Sequence, residues 1–132
     1  MKSAFKDKIF GILTRNGFEY KINKIDNDFV IYFLDFKGMG KMNAKFGYLK
    51  TNKIFKKMFK QLKKRGYIIG RCFYGEEILI ASDVIMSEHL EMLKTTCNKF
   101  DLEFRHTSHA HHKGKKIRKT IKKLIKKIEK YK

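Results

Sequence analysis

Four histidines stand within seven residues: His106, His109, His111 and His112. Imidazole exchanges protons near neutral pH, so such a cluster could cut a phosphodiester by general acid–base chemistry. A His-rich tract could also ligate metal. The spacing fits no metal-site pattern, and the two cysteines, Cys72 and Cys97, are remote from it in the sequence. No metal, no cofactor and no assigned catalytic residue is expected on this ground. Beside a lysine tract the same imidazoles serve as weak phosphate contacts that strengthen below about pH 6.5. Two further stretches carry a hint of chemistry. Glu19-Tyr20-Lys21 has the form of half of a metal-dependent nuclease motif, a triplet that strand alternation often produces. Lys37-Gly38-Met39-Gly40-Lys41 has the look of a phosphate-cradling loop but fits neither GxxxxGK nor GxGxxG, so it reads as a mobile loop.

The stronger signal is cationic. The net charge is +19, and two segments hold all of the excess. Residues 50–71 contain nine basic residues and no acid, and residues 113–132 contain eleven basic residues against Glu129. Lysines at helical spacing make a line of point charges that follows phosphates without reading bases. Only five of the 32 basic residues are arginine, so charge and shape outweigh bidentate recognition. The residues this assigns to a nucleic-acid face are Lys56, Lys60, Lys63, Lys64, Arg65 and Arg71 in the first segment. In the second they are Lys115, Lys116, Arg118, Lys119, Lys122, Lys123, Lys126 and Lys127.

Both segments are amphipathic helices. Ile54, Phe55, Met58, Phe59 and Leu62 form one apolar stripe, with Thr51 or Asn52 as cap and Gly66 as stop. Ile117, Ile121, Leu124, Ile125 and Ile128 form the other. The rest of the chain supplies what these helices rest on. Residues 3–15 read as a first helix closed by Gly17. Phe18–Ile25 alternates like a half-buried strand, and Asp26-Asn27-Asp28 is a turn. Phe29–Phe36 is apolar on both faces, as a central strand would be. Residues 37–49 form a loop. Tyr67–Phe73 and Glu76–Ala81 pair as a hairpin about Tyr74-Gly75. A third helix ends near Asn98, and Leu102–Arg105 is a short strand. Lys8–Phe18 and Lys53–Tyr67 share an order of helix, glycine and aromatic that suggests an internal repeat, 3–49 and 50–86.

The expected fold is α+β, one small domain in which two helix–hairpin units build a mainly antiparallel sheet with helices on it. Its parts are a core, 1–105, a His-rich linker, 106–113, and a basic C-terminal helix, 114–132. Lys45-Phe46-Gly47-Tyr48-Leu49 has a loose likeness to the aromatic strand of RNA-recognition motifs, but the order of elements does not fit that fold. The expected function is a small non-enzymatic nucleic-acid-binding protein of the cytoplasm, with RNA or a ribonucleoprotein favoured over DNA. The alternatives are an inhibitor of a host nucleic-acid-processing complex and a ribonuclease built on the histidine cluster. The composition suits an AT-rich bacterium or its phage, a viral protein included. Membrane-surface binding by the last helix is disfavoured, since that helix lacks Trp and Phe. The first residues, with Lys6, Asp7 and Lys8, lack the apolar core expected of a signal peptide, and no run approaches the length expected of a transmembrane helix.

Overall fold

Glycine, threonine and aromatic spacing decide the first forty residues. In the computed structural model, which describes residues 5–25, 27–72 and 77–129, Lys6–Asp7 (β1) and Ile12–Leu13 (β2) form a short hairpin rather than a helix. Gly11 turns it at φ 70°, a conformation that suits glycine. Thr14 then caps α1 (Arg15–Lys24), its Oγ1 accepting from the Gly17 amide at 3.1 Å. The stretch expected as a strand is therefore a helix. Phe18 and Ile22, four residues apart, are buried, while Tyr20 is exposed; the same residues that alternate also share a helical face.

The remaining elements are β3 (Phe29–Lys37), α2 (Met39–Phe46), α3 (Tyr48–Lys64), β4 (Ile68–Arg71), β5 (Glu77–Ser82), α4 (Ser87–Lys99), β6 (Glu103–His111) and α5 (Ile117–Glu129). The supposed loop after β3 is α2, held down by Met39 and Met42 three residues apart. The supposed His-rich linker is for the most part strand β6. Lys8–Phe10 lies in the first hairpin and Lys53–Phe55 in α3, so the two matching stretches take different structures. The hairpin tip about Tyr74-Gly75 lies outside the described residues.

The sheet is six-stranded and mixed, in the order β1-β2-β4-β5-β3-β6. Among the described residues β2–β4 is the parallel pair and the other pairs are antiparallel. As expected, β3 is central and buried on both faces. β3 and β4 run parallel with β5 between them, and β5 and β6 run parallel with β3 between them. This is a pair of split βαβ units. Two cores result. One face packs Phe36, Phe55, Phe59, Leu62, Leu93 and Leu102 beneath α2, α3 and α4. The other packs Phe18, Ile31, Phe33, Ile121 and Leu124 beneath α1 and α5. No described helix is long and apolar enough to cross a membrane.

Candidate functional site

The two basic helices lie on opposite faces of the sheet. Phe55, Met58, Phe59 and Leu62 of α3 are buried in one core; Ile117, Ile121, Leu124 and Ile128 of α5 are buried in the other. Each helix needs its own apolar partner, and the two faces of β3 supply one each. One polyanion running straight across both lysine walls is excluded by this placement. The fourteen sequence-assigned cations divide among several places. Lys56, Lys60 and Lys63 face the β1–β2 hairpin. Lys64 and Arg65 border a groove against α4. Lys115, Lys116 and Arg118 border a cleft with Glu19 and His111. Lys119, Lys122, Lys123 and Lys126 are on the outer side of α5.

Several of these cations are structural. Arg71 pairs with Asp7 at 2.7 Å and lies 4.4 Å over the Phe10 ring. Arg118 pairs with Glu19 at 3.1 Å, and Glu19 also takes Arg15 at 3.0 Å. Lys127 donates to the Ser108 carbonyl at 2.8 Å.

Strand geometry removes His106 from the histidine cluster. His106 is in register with Leu34, on the α4 face. His109 and His111 are in register with Ile31 and Phe29, on the α5 face. Neighbours along a strand point to opposite sides, so His106 is cut off from His109 and His111, which keep one face and have His112 beside them. Burial is the first cause that holds His106, His109 and His111 below the usual histidine range, with Lys94 adding to it at His106 and Lys127 at His109. Nδ1 of His111 meets Thr120 Oγ1 at 2.7 Å inside the core. Among the described residues no three His, Cys, Asp or Glu side chains come together to hold a metal. Cys72 and Cys97 are free and buried, one in each core. Burial pushes their thiols up to about 12 and about 11, which makes both poor nucleophiles.

Two places among the described residues bear on the fold's chemistry. The first is a charged row at one end of the sheet. Asp35 of β3 stands in register with Glu77 of β5 and with Arg105 of β6, and Arg105 pairs with Asp35 at 3.3 Å. The second is the α3–α4 groove, about 300 Å³. Its floor is Met58, Leu62 and Leu93, all buried. Its rim is Gln61, Lys64 and Arg65 from α3 and His89, Met92 and Thr96 from α4. Tyr67 backs the rim residue His89, its hydroxyl 2.5 Å from His89 Nδ1 and its ring edge-on to the imidazole at 5.1 Å. Burial, with Tyr32 adding to it, raises the Tyr67 pKa. An apolar floor under a few convergent polar groups is the common form of a ligand site. Lysine counting found Lys64 and Arg65 here but missed Gln61, Tyr67, His89, Met92 and Thr96. The signal available was Met58 and Leu62 on α3 facing Leu93 on α4.

The sequence matches no protein-family model and no curated protein. Solved structures do match. A microbial GGDEF domain studied for its interaction with c-di-GMP superposes with a TM-score of 0.70 at 18% identity, over 92% of this chain and 86% of that one. The fold is that of GGDEF domains. The diguanylate cyclase SiaD from Pseudomonas aeruginosa, solved with its activator SiaC, gives 0.67 at 15% identity; the match covers 93% of this chain and 56% of that one. A diguanylate cyclase/phosphodiesterase structure from Caldicellulosiruptor saccharolyticus gives 0.62 at 18% identity, over 97% of this chain and 89% of that one. With the helices on opposite faces, these GGDEF-like neighbours correct the nucleic-acid reading. RNA, DNA, a ribonucleoprotein, a phage-type inhibitor and a histidine-based ribonuclease are all withdrawn.

Proposed function

We propose that this chain is a GGDEF-like signalling domain that binds c-di-GMP, with the α3–α4 groove as its site. The observation that carries the reading is the groove's make-up on this fold. A cyclic dinucleotide has flat bases and two phosphodiesters, and the groove offers something to each. Met92 is half exposed, and a thioether is a good neighbour for an aromatic edge. Arg65 presents a planar fork that fits either a phosphate or the O6/N7 edge of guanine. Lys64 adds a point charge, and Gln61, Thr96 and His89 are placed for polar base contacts. The volume is at the small end for ligand pockets, ~300–1,000 Å³, enough for one base with its phosphate while the remainder lies on the rim.

The five letters of GGDEF spell no run in this sequence, which has no adjacent glycine pair. The nearest run is Tyr74-Gly75-Glu76-Glu77-Ile78, of which Glu77 and Ile78 open β5 and the first three lie outside the described residues. Synthesis of the dinucleotide is the second reading, and Asp35 in register with Glu77 is the observation in its favour. Two carboxylates can hold a divalent ion for phosphoryl transfer. They fit that role poorly here, since Arg105 already pairs with Asp35. A cytoplasmic location goes with the binding reading, and the two free buried thiols support it.

Calorimetry with c-di-GMP tests the proposal. Saturable binding is expected, and Arg65→Ala is expected to weaken it by roughly tenfold or more, the loss of one charge-assisted hydrogen bond. No heat and no shift of the melting temperature at high c-di-GMP would overturn it. Incubation with GTP and Mg²⁺, followed by chromatography, separates a binder from a producer.

A further inference from the structure

A second pocket has different chemistry and stands apart from the groove. It lies between the β1–β2 hairpin and α3, has a volume of about 430 Å³, and is lined by Lys6, Lys8, Phe10, Gly11, Lys56, Lys60 and Lys63. Its five lysines come from two separate elements. Lys56, Lys60 and Lys63 fall at i, i+4 and i+7, one stripe of α3. Lys6 and Lys8 flank Asp7 on the hairpin. No carboxylate lines the pocket among the described residues. The acid nearest in sequence, Asp7, is buried, accepts the Ile9 amide at 2.8 Å and pairs with Arg71. It is thereby turned away from the lysines it would otherwise neutralise.

Two of the lysines, Lys63 and Lys56, lie against the turn. Gly11 adopts the left-handed turn, and its carbonyl accepts from Lys63 Nζ at 3.1 Å. The Lys56 stem passes 3.5 Å from where a Gly11 side chain would begin. Phe10 is a buried apolar floor. Five ammonium groups gathered around one concavity repel each other unless an anion joins them. Lysine without arginine fits compact, highly charged phosphate better than a planar edge.

We propose that this pocket binds a short polyphosphate chain, either free or as the tail of a nucleoside triphosphate. Phosphodiesters carry one charge each and are spaced by sugars, so c-di-GMP is not its ligand. A triphosphate concentrates several charges in the space between hairpin and helix.

The probe is inorganic tripolyphosphate, titrated calorimetrically into the full chain at low salt, about 50 mM, where screening is modest. One saturable site is expected. The double variant Lys56→Gln/Lys60→Gln should lose roughly tenfold or more in affinity. The control Lys122→Gln/Lys123→Gln removes the same charge from the other face and should match wild type. Melting curves of both variants check folding; all four side chains are exposed. Equal losses in the two variants, or binding that never saturates, would mean diffuse attraction and overturn the proposal. GTP binding more tightly than tripolyphosphate assigns the tail of a nucleotide, and equal affinity assigns the free chain. Saturating c-di-GMP should leave the tripolyphosphate isotherm unchanged. Full competition would merge the two sites and overturn this inference. A chain that binds tripolyphosphate here but no c-di-GMP would refute the c-di-GMP reading alone.

Discussion

Arg71 Nη1 sits 2.7 Å from Asp7 Oδ2, and its guanidinium lies 4.4 Å over the Phe10 ring. This pair fastens the two-residue strands of the first hairpin to β4, where backbone pairing alone is short. Both side chains are largely buried, 21% and 7% exposed. Removing one partner of such a pair leaves an uncompensated charge and costs about 3 kcal/mol. Arg71→Ala should therefore lower unfolding stability by about that amount, measured by urea denaturation. Asp7→Asn/Arg71→Gln should cost less than the sum of its single variants. Strict additivity would show that the two do not couple.

Helix α5 is core. Ile117, Ile121 and Leu124 have no exposed surface, and with Ile128 they are four of the twelve buried residues of one core. The charge count alone suggests a detachable arm, and deletion of residues 113–132 would then leave a folded domain. The opposite is expected: the truncated chain should lose cooperative unfolding. Leu124→Ala is the milder test and should cost about 3 kcal/mol through lost burial and a cavity. A truncated chain with an unchanged melting profile would refute this packing.

Acid should destabilise the protein before its carboxylates titrate. His111 is buried against Thr120 of α5, with His109, His112 and Asp28 nearby. Its folded pKa is lowered from 6.5, as are those of His106 and His109. Below the ordinary value, about 6.5, the unfolded chain takes up protons that the folded chain refuses, so stability falls with pH. The loss runs from there down to the lowered folded values. The urea midpoint should thus drop between about pH 7 and about pH 5. His111→Gln should flatten part of that slope even where it weakens the fold at neutral pH. A slope unchanged in His111→Gln would assign the effect to other groups.

How much of this was legible depends on how many patterns a stretch satisfies. Phe29–Phe36 admits one reading, a strand apolar on both faces, and it is the central strand. The stripes of α3 and α5 admit one reading as well, and both helices are found. Phe18, Tyr20 and Ile22 satisfy two periods at once, and the Thr14 cap and tertiary packing choose the helix. Residues 106–111 look like a polar linker because β6 is an edge strand with partly exposed side chains. Polarity there reports position in the sheet rather than absence of a strand. The sites were less legible still. Lys56 and Lys64 belong to one helix and one charge run, yet they face different cavities. Arg71 counts as a cation in the sequence and is spent on Asp7 in the fold. Net charge is a property of the chain, whereas a site depends on which elements converge, and that is set by the two faces of the sheet.

Two helical glycines should respond to alanine in opposite directions. Gly40 lies in α2 with nothing within 4 Å of the position a Cβ would take. Alanine there should stabilise by roughly 0.5–1 kcal/mol, because the unfolded chain loses freedom and the helix gains a better former. Gly17 lies in α1, where a Cβ would fall 2.5 Å from the Phe5 carbonyl oxygen and 2.9 Å from the Phe5 Cβ. Backbone cannot yield as a flexible side-chain tip can, so α1 or the chain entering β1 must shift. Overpacking of that kind typically costs about 1–3 kcal/mol, which exceeds the propensity gain. Gly17→Ala should therefore lower the melting temperature while Gly40→Ala raises it. If both variants gained stability, the close approach of residue 5 to α1 would be refuted, and with it the seating of the first hairpin on that helix.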